Sequence, residues 1–115
     1  MITKEKYILL LIVCSLMSLA CGCIDGVEVE LWDECYNINE TTILNLFDSN
    51  LSGEIPENIG ELVNLISLIL PFNELTGEIP ESIGNLENLE ILDIRSNQLS
   101  GDIPDYIGDM INLHH

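Results

Sequence analysis

Residues 65–88 read LISLILPFNELTGEIPESIGNLEN. The stretch before them, residues 41–64, reads TTILNLFDSNLSGEIPENIGELVN, and the stretch after, residues 89–112, reads LEILDIRSNQLSGDIPDYIGDMIN. Written beneath one another the three align without a gap, on a period of 24 residues. Leu68 falls in a column with Leu44 and Leu92, Gly77 with Gly53 and Gly101, Pro80 with Pro56 and Pro104, and Ile83 with Ile59 and Ile107. A fixed period in this range marks a unit that cannot bury its apolar face alone and must stack on its neighbours, so the chain is expected to form a solenoid. Such a fold presents an extended surface rather than a closed pocket.

Each position in the unit has a physical task. In the central copy Leu68 and Leu70 alternate with Ser67, Ile69 and Pro71, which predicts a short strand with the leucines inward and the other three outward. Successive copies lay these strands side by side as a parallel sheet. Asn73 and Asn97 follow the strand where the chain must turn. A side-chain amide both donates and accepts, so each is expected to bridge turns of adjacent coils. The first copy has Ser49 there, which predicts a looser first coil. Gly53, Gly77 and Gly101 allow backbone angles that other residues resist. Pro56, Pro80 and Pro104 fix φ on the outer side. Ile59, Ile83 and Ile107 refill the core, and Gly60, Gly84 and Gly108 are expected to end short 3₁₀ turns.

The pieces Leu75-Thr76-Gly77-Glu78-Ile79-Pro80 and Leu99-Ser100-Gly101-Asp102-Ile103-Pro104 resemble the plant-type, extracellular subclass of leucine-rich repeats. The likeness covers residues 41–115 and extends to receptor-like ectodomains, secreted inhibitors of wall-degrading enzymes and bacterial surface proteins. It implies an α/β-type leucine-rich-repeat solenoid, with a short parallel β-sheet on the concave face and 3₁₀ turns and loops on the convex face. It also implies recognition of a protein or glycan ligand through the concave face. The outward strand positions are Ile43, Asn45 and Phe47, then Ser67, Ile69 and Pro71, then Ile91, Asp93 and Arg95. Of these, Phe47, Ile69, Pro71, Asp93 and Arg95 are the candidate ligand-binding residues, because exposed apolar groups rimmed by polar ones suggest a contact site.

Ahead of the repeats, Lys4 and Lys6 precede an apolar run from Tyr7 to Leu19, followed by the small residues Ala20 and Gly22. This is the layout of a signal peptide over residues 1–22. The run falls short of the roughly 20 residues of a membrane span. Cleavage after Gly22 leaves Cys23 and Cys35, an even pair that can form one disulfide in an oxidising compartment. Cleavage after Ala20 leaves three cysteines. Leu19-Ala20-Cys21-Gly22-Cys23 resembles a bacterial lipoprotein processing box, although neither cysteine has leucine three residues before it. Lipid on Cys21 keeps the Cys23–Cys35 pair, whereas lipid on Cys23 leaves Cys35 alone. A secreted or cell-surface location follows on each route, with a membrane reached only through such an anchor. Residues 23–40 are expected to be an N-terminal cap: a strand through Val27, Val29 and Leu31 that pairs with the first repeat, with Trp32 over Leu44 and Leu46.

The chain has 20 acidic residues against 3 basic ones and a formal net charge of −17. Once Lys4 and Lys6 leave with the signal, Arg95 is the lone Lys or Arg. Nucleic acid is excluded as a partner, since phosphate binding needs clustered cations. Glu54, Glu78 and Asp102 fall in one column and Glu57, Glu81 and Asp105 in another. Paired carboxylates can serve glycosidases, but that chemistry needs one of them in a pocket with a raised pKa. Periodic outer carboxylates do not provide this, so the chain reads as non-catalytic. No cofactor motif or dedicated metal site is expected, His114 and His115 being a pair without further ligands. Leu113 opens a fourth copy, which predicts either a longer array or self-association through an uncapped C-terminal end. A structural surface or adhesion scaffold is the rival to recognition.

Overall fold

The computed structural model describes residues 22–109. The expected signal peptide, Cys14, Cys21, Met110, Leu113 and the two histidines lie outside the described residues. The strands are β1 (Glu28–Leu31), β2 (Glu34–Asn37), β3 (Ile43–Asn45), β4 (Ser52–Glu54), β5 (Ser67–Ile69), β6 (Glu74–Thr76) and β7 (Ile91–Asp93). Two 3₁₀ turns cover Glu57–Glu61 and Glu81–Asn85, and a short helix, α1, covers Asp105–Asp109.

Three coils stack as the period requires. β3, β5 and β7 form a parallel sheet in that order, with Ile43, Ser67 and Ile91 in one register column and Asn45, Ile69 and Asp93 in another. Coil-to-coil bonds continue past the strands, from Leu46 N to Ile69 O (2.8 Å) and from Leu70 N to Asp93 O (2.7 Å). A second parallel pair, β4 with β6, sits after the first turn and joins the first two coils, and bonds from Gln98 N to Leu75 O and Ser100 N to Gly77 O (both 2.8 Å) carry the link to the third. Between the ladders the core is filled by Leu44, Ile55, Ile59, Leu62, Leu65, Leu68, Leu70, Leu75, Ile83, Leu86 and Leu89.

Asn73 carries the turn. Its Oδ1 accepts from Ser49 N and Leu51 N, both at 3.0 Å, in the preceding coil. Its Nδ2 donates to Leu46 O of that coil and to Leu70 O and Pro71 O of its own. Asn97 repeats the arrangement one coil on, accepting from Leu75 N and donating to Leu70 O, Ile94 O and Arg95 O. A second asparagine column stitches the far side of the coils, Asn64 Nδ2 to Asn39 O and Asn88 Nδ2 to Val63 O. The Ser49 hydroxyl, by contrast, donates to Phe47 O within its own coil.

The glycines divide into two kinds. Gly53, Gly77 and Gly101 have φ between 74° and 77° and supply the left-handed turn. Gly60 and Gly84 lie inside the 3₁₀ turns rather than ending them, and close approach is what they serve. A Cβ on Gly60 would stand 2.6 Å from Ser82 Cβ and 2.7 Å from Ser82 O, and one on Gly84 would stand 3.2 Å from the Tyr106 ring. Tyr106 donates its hydroxyl to Pro80 O and packs against the core. Burial, followed by the Glu81 and Glu57 carboxylates, pushes its pKa up.

The cap differs from the expected added strand. β1 and β2 form their own antiparallel hairpin, with no ladder to β3. Its two turn residues, Trp32 and Asp33, have φ of 48° and 65°. Positive φ at both central positions is the mirror-image turn that matches strand twist, so a tight hairpin forms instead of an extended strand. Val29 and Leu31 are buried against the first coil, while Val27 is exposed. Trp32 packs on the core from its edge. A Cys23–Cys35 disulfide ties the chain before β1 to β2.

Two predictions follow from this packing. Asn73→Ala strands two amide donors and three carbonyls in a buried turn, and is expected to cost roughly 2–4 kcal/mol in urea unfolding. The neighbouring exposed Glu74→Gln serves as control. Replacing both Cys23 and Cys35 with serine removes a closed loop with a sequence separation of 12, which lowers stability in the same assay by about 3 kcal/mol.

Candidate functional site

The outward face of the β3–β5–β7 sheet is the candidate site, and the structure sorts its five expected residues unevenly. Phe47 is 56% exposed, and Arg95 is exposed as well. Ile69 and Asp93 are half-buried. Pro71 is buried and drops out as a contact residue. It lies in the central coil, where Pro71 O accepts from Asp48 N (3.1 Å) on one side and Phe72 N donates to Arg95 O (3.2 Å) on the other. A proline held between two coils shows little surface. Ser67, also expected outward, is buried too: it stands in register between Ile43 and Ile91, whose larger side chains shield it.

The turns that follow the strands are built alike at both ends of the sheet. Asn45 Oδ1 accepts from Phe47 N (3.2 Å), and Asp93 Oδ1 accepts from Arg95 N (3.2 Å). Each side chain closes a local turn two residues on, as short polar side chains do. Asp93 does more. Arg95 Nε donates to its Oδ1 at 2.9 Å and Nη2 to its Oδ2 at 2.8 Å. This two-pronged hydrogen bond holds the Asp93 carboxyl below the usual aspartate range and raises the guanidinium further. Arg95 is the only lysine or arginine among the described residues, and its charge is committed.

Phe72 is the residue that alternation missed. It lies beyond the strand, with φ of 59°, and is 54% exposed. Its ring meets Phe47 edge to face, centroids 5.4 Å apart at 62°. Two aromatic rings from adjacent coils thus form a corner at the C-terminal rim of the sheet, with the exposed Ile43 and Ile91 at its opposite end.

The acidic columns stand elsewhere. Glu54 ends β4 while Glu78 and Asp102 lie in the corresponding stretches of the next two coils, Glu57, Glu81 and Asp105 open the three outer turns, and all six are exposed. Glu54 runs over Gly77 of the next coil, and Glu78 over Gly101. Cys23, Glu28 and Cys35 bring ligand atoms within 4.8 Å of one another, but both sulfurs are spent in the disulfide. Glu28 instead accepts from Ile24 N (3.1 Å).

The leucine-rich-repeat family model matches residues 40–62, 64–86 and 88–110, more than half of the chain. The chain belongs to the leucine-rich-repeat family. No curated protein matches it significantly. Among solved structures, this leucine-rich-repeat chain is similar to the receptor in the PEPR1–AtPEP1 complex. There the identity is 42% over 63% of this chain and 10% of that one, with a TM-score of 0.61. It is also similar to the Arabidopsis receptor kinase HAESA, solved with the peptide hormone IDA and the co-receptor SERK1. That match has 38% identity over 63% of this chain and 12% of the other, with a TM-score of 0.60. A plant ice-binding protein matches at 41% identity over 53% of this chain and 20% of its own, with a TM-score of 0.51. The leucine-rich repeats here therefore span only about a tenth of the receptor chains. The fold and repeat subclass are those of plant receptor ectodomains.

Asp93 is expected to titrate below an ordinary aspartate when its side-chain carboxyl is followed by carbon NMR, and Arg95→Gln raises it toward the usual range, the backbone hydrogen bond from residue 95 remaining. Because the folded pKa is the lower one, the pair's small contribution to stability is present above the unfolded aspartate pKa. It is lost as pH falls through the folded value.

Proposed function

We propose that the chain is an exported, non-catalytic recognition module that binds a protein ligand through the concave face of its repeats. The observation that carries this reading is the exposed aromatic pair Phe47–Phe72 on the rim of that face. A folded protein gains little by holding two large rings in water, and surface patches of this kind mark contact sites. The relatives lend support, since PEPR1 is solved with AtPEP1 and HAESA with a peptide hormone and a co-receptor. The apolar leader, together with a disulfide in the cap, supports export. The test immobilises the protein and a Phe47→Ala/Ile43→Ser variant in the medium of its own cells at native salt. Both residues are exposed, so the variant keeps its fold. One stoichiometric partner, retained by the wild type and lost by the variant, is expected. Self-association with no other partner would favour a scaffold and sink this reading.

A second reading rests on a different face. Ser52, Thr76 and Ser100 recur as exposed hydroxyls on the side of the β4–β6 ladder, where Ser52 stands opposite Glu74 and Thr76 opposite Glu54, and a plant ice-binding protein shares the repeat. Carboxylates are interleaved with these hydroxyls, and their hydration works against adsorption to ice. We expect no inhibition of ice recrystallisation. Inhibition abolished by Thr76→Glu would instead make ice the ligand.

A further inference from the structure

The corner made by the two phenylalanines has a chemistry of its own. Phe72 occupies the same repeat position as Asp48 and Ser96, and all three are left-handed, with φ of 59°, 47° and 56°. Aspartate tolerates that conformation, whereas a bulky aromatic residue is an outlier there. The ring of Phe72 gains little burial in return, since more than half of its surface remains in solvent. A costly conformation that places a ring on the surface points to a ligand rather than to the core. The ring turns toward Phe47, so that the pair offers aromatic faces from two coils at once.

Charge decides what these faces suit. Asp48, exposed, follows Phe47 directly, and the one lysine or arginine among the described residues is forked onto Asp93. The whole chain carries −17. An anionic ligand is repelled at every range. A neutral apolar ligand uses the rings but brings nothing for the field. A cationic side chain is drawn by the field at a distance and by the ring faces on contact. Resting on the concave-face reading above, we propose that the Phe47–Phe72 corner, with Asp48 beside it, seats an arginine or lysine side chain of a partner's peptide segment.

The test selects displayed random short peptides on the immobilised protein at low ionic strength, then measures the winners against variants. Phe72→Asn is the variant of choice, because asparagine suits a left-handed backbone and the protein is expected to be at least as stable. Selected peptides are expected to carry arginine or lysine beside an apolar residue. Their affinity should fall roughly 3- to 30-fold in Phe72→Asn or Phe47→Ala, and further with added salt. Replacing the selected arginine by citrulline, which keeps the shape and removes the charge, should give a similar loss. Peptides that lose affinity in the phenylalanine variants but bind equally well with citrulline would overturn the cation assignment and leave the concave face as the binding surface. Peptides bound equally by all the variants would overturn both, and a selection that yields no binder would overturn the cation seat.

Discussion

The carboxamides of Asn73 and Asn97 are the constraint on which the rest depends. A chain that turns sharply inside its own core leaves several backbone groups facing apolar side chains, and each unpaired one costs on the order of 1–3 kcal/mol. One amide with two donors and an acceptor can answer several of these at once. Asn73 answers five, divided between its own coil and the coil before it. The same bonds that satisfy the turn therefore fix the offset between coils. Once that offset is set, strands pair in register, leucines meet leucines, and glycines such as Gly60 fall where the next coil must pass closely. The first coil, with Ser49 in place of asparagine, lacks an amide reaching toward the cap. A separate hairpin, tethered by the Cys23–Cys35 disulfide, closes that end.

Stacking also explains why the outward positions are not equivalent. In a row of three strands the middle one is shielded from both sides. Ser67 and Pro71 alternate outward along β5 and its extension, yet both are buried, because Ile43 and Ile91 or the adjoining turns stand over them. The usable surface is displaced to the flanking coils and to the rim where the strands end. There the backbone passes through a left-handed residue in every coil, and whatever side chain occupies that position is thrown outward.

The repeat period was sufficient for the architecture because its signals are local and strong: leucine alternation, asparagine at the turn, glycine at positive φ, proline outside. It was a weaker guide to the site. Phe72 falls outside the strand alternation, and its partnership with Phe47 exists only once two coils are laid side by side. Nothing in the spacing distinguishes Pro71 from an exposed strand residue until both neighbours are in place. The cap hairpin was hidden for another reason. Its turn is Trp32-Asp33, without the Asn-Gly or Asp-Gly pairs that announce a mirror-image turn. The glycines of the 3₁₀ turns were legible as necessary, but their reason, a 2.6 Å approach by the next coil, is a property of stacking.

Periodicity has an electrostatic consequence as well. Repeating a unit repeats its charges, so Glu54, Glu78 and Asp102 recur once per coil on the outer side, as do Glu57, Glu81 and Asp105, although the ladder staggers the coils and sets Glu54 opposite Thr76 rather than Glu78. Like charges gathered on one side repel, and the solenoid tolerates them because both sets are solvated and salt screens them over about 10 Å. Core packing and the asparagine ladder, which are insensitive to charge, hold the coils together against this repulsion. The field does not vanish at the concave face, which looks away from the columns but carries no free cation of its own. An approaching partner therefore meets an attraction that is non-specific and long-ranged, and a contact that is specific and short-ranged. The repeat supplies the first automatically, through residues that every coil shares. The second comes only from positions where the coils differ, and of these Phe72 departs furthest from its column.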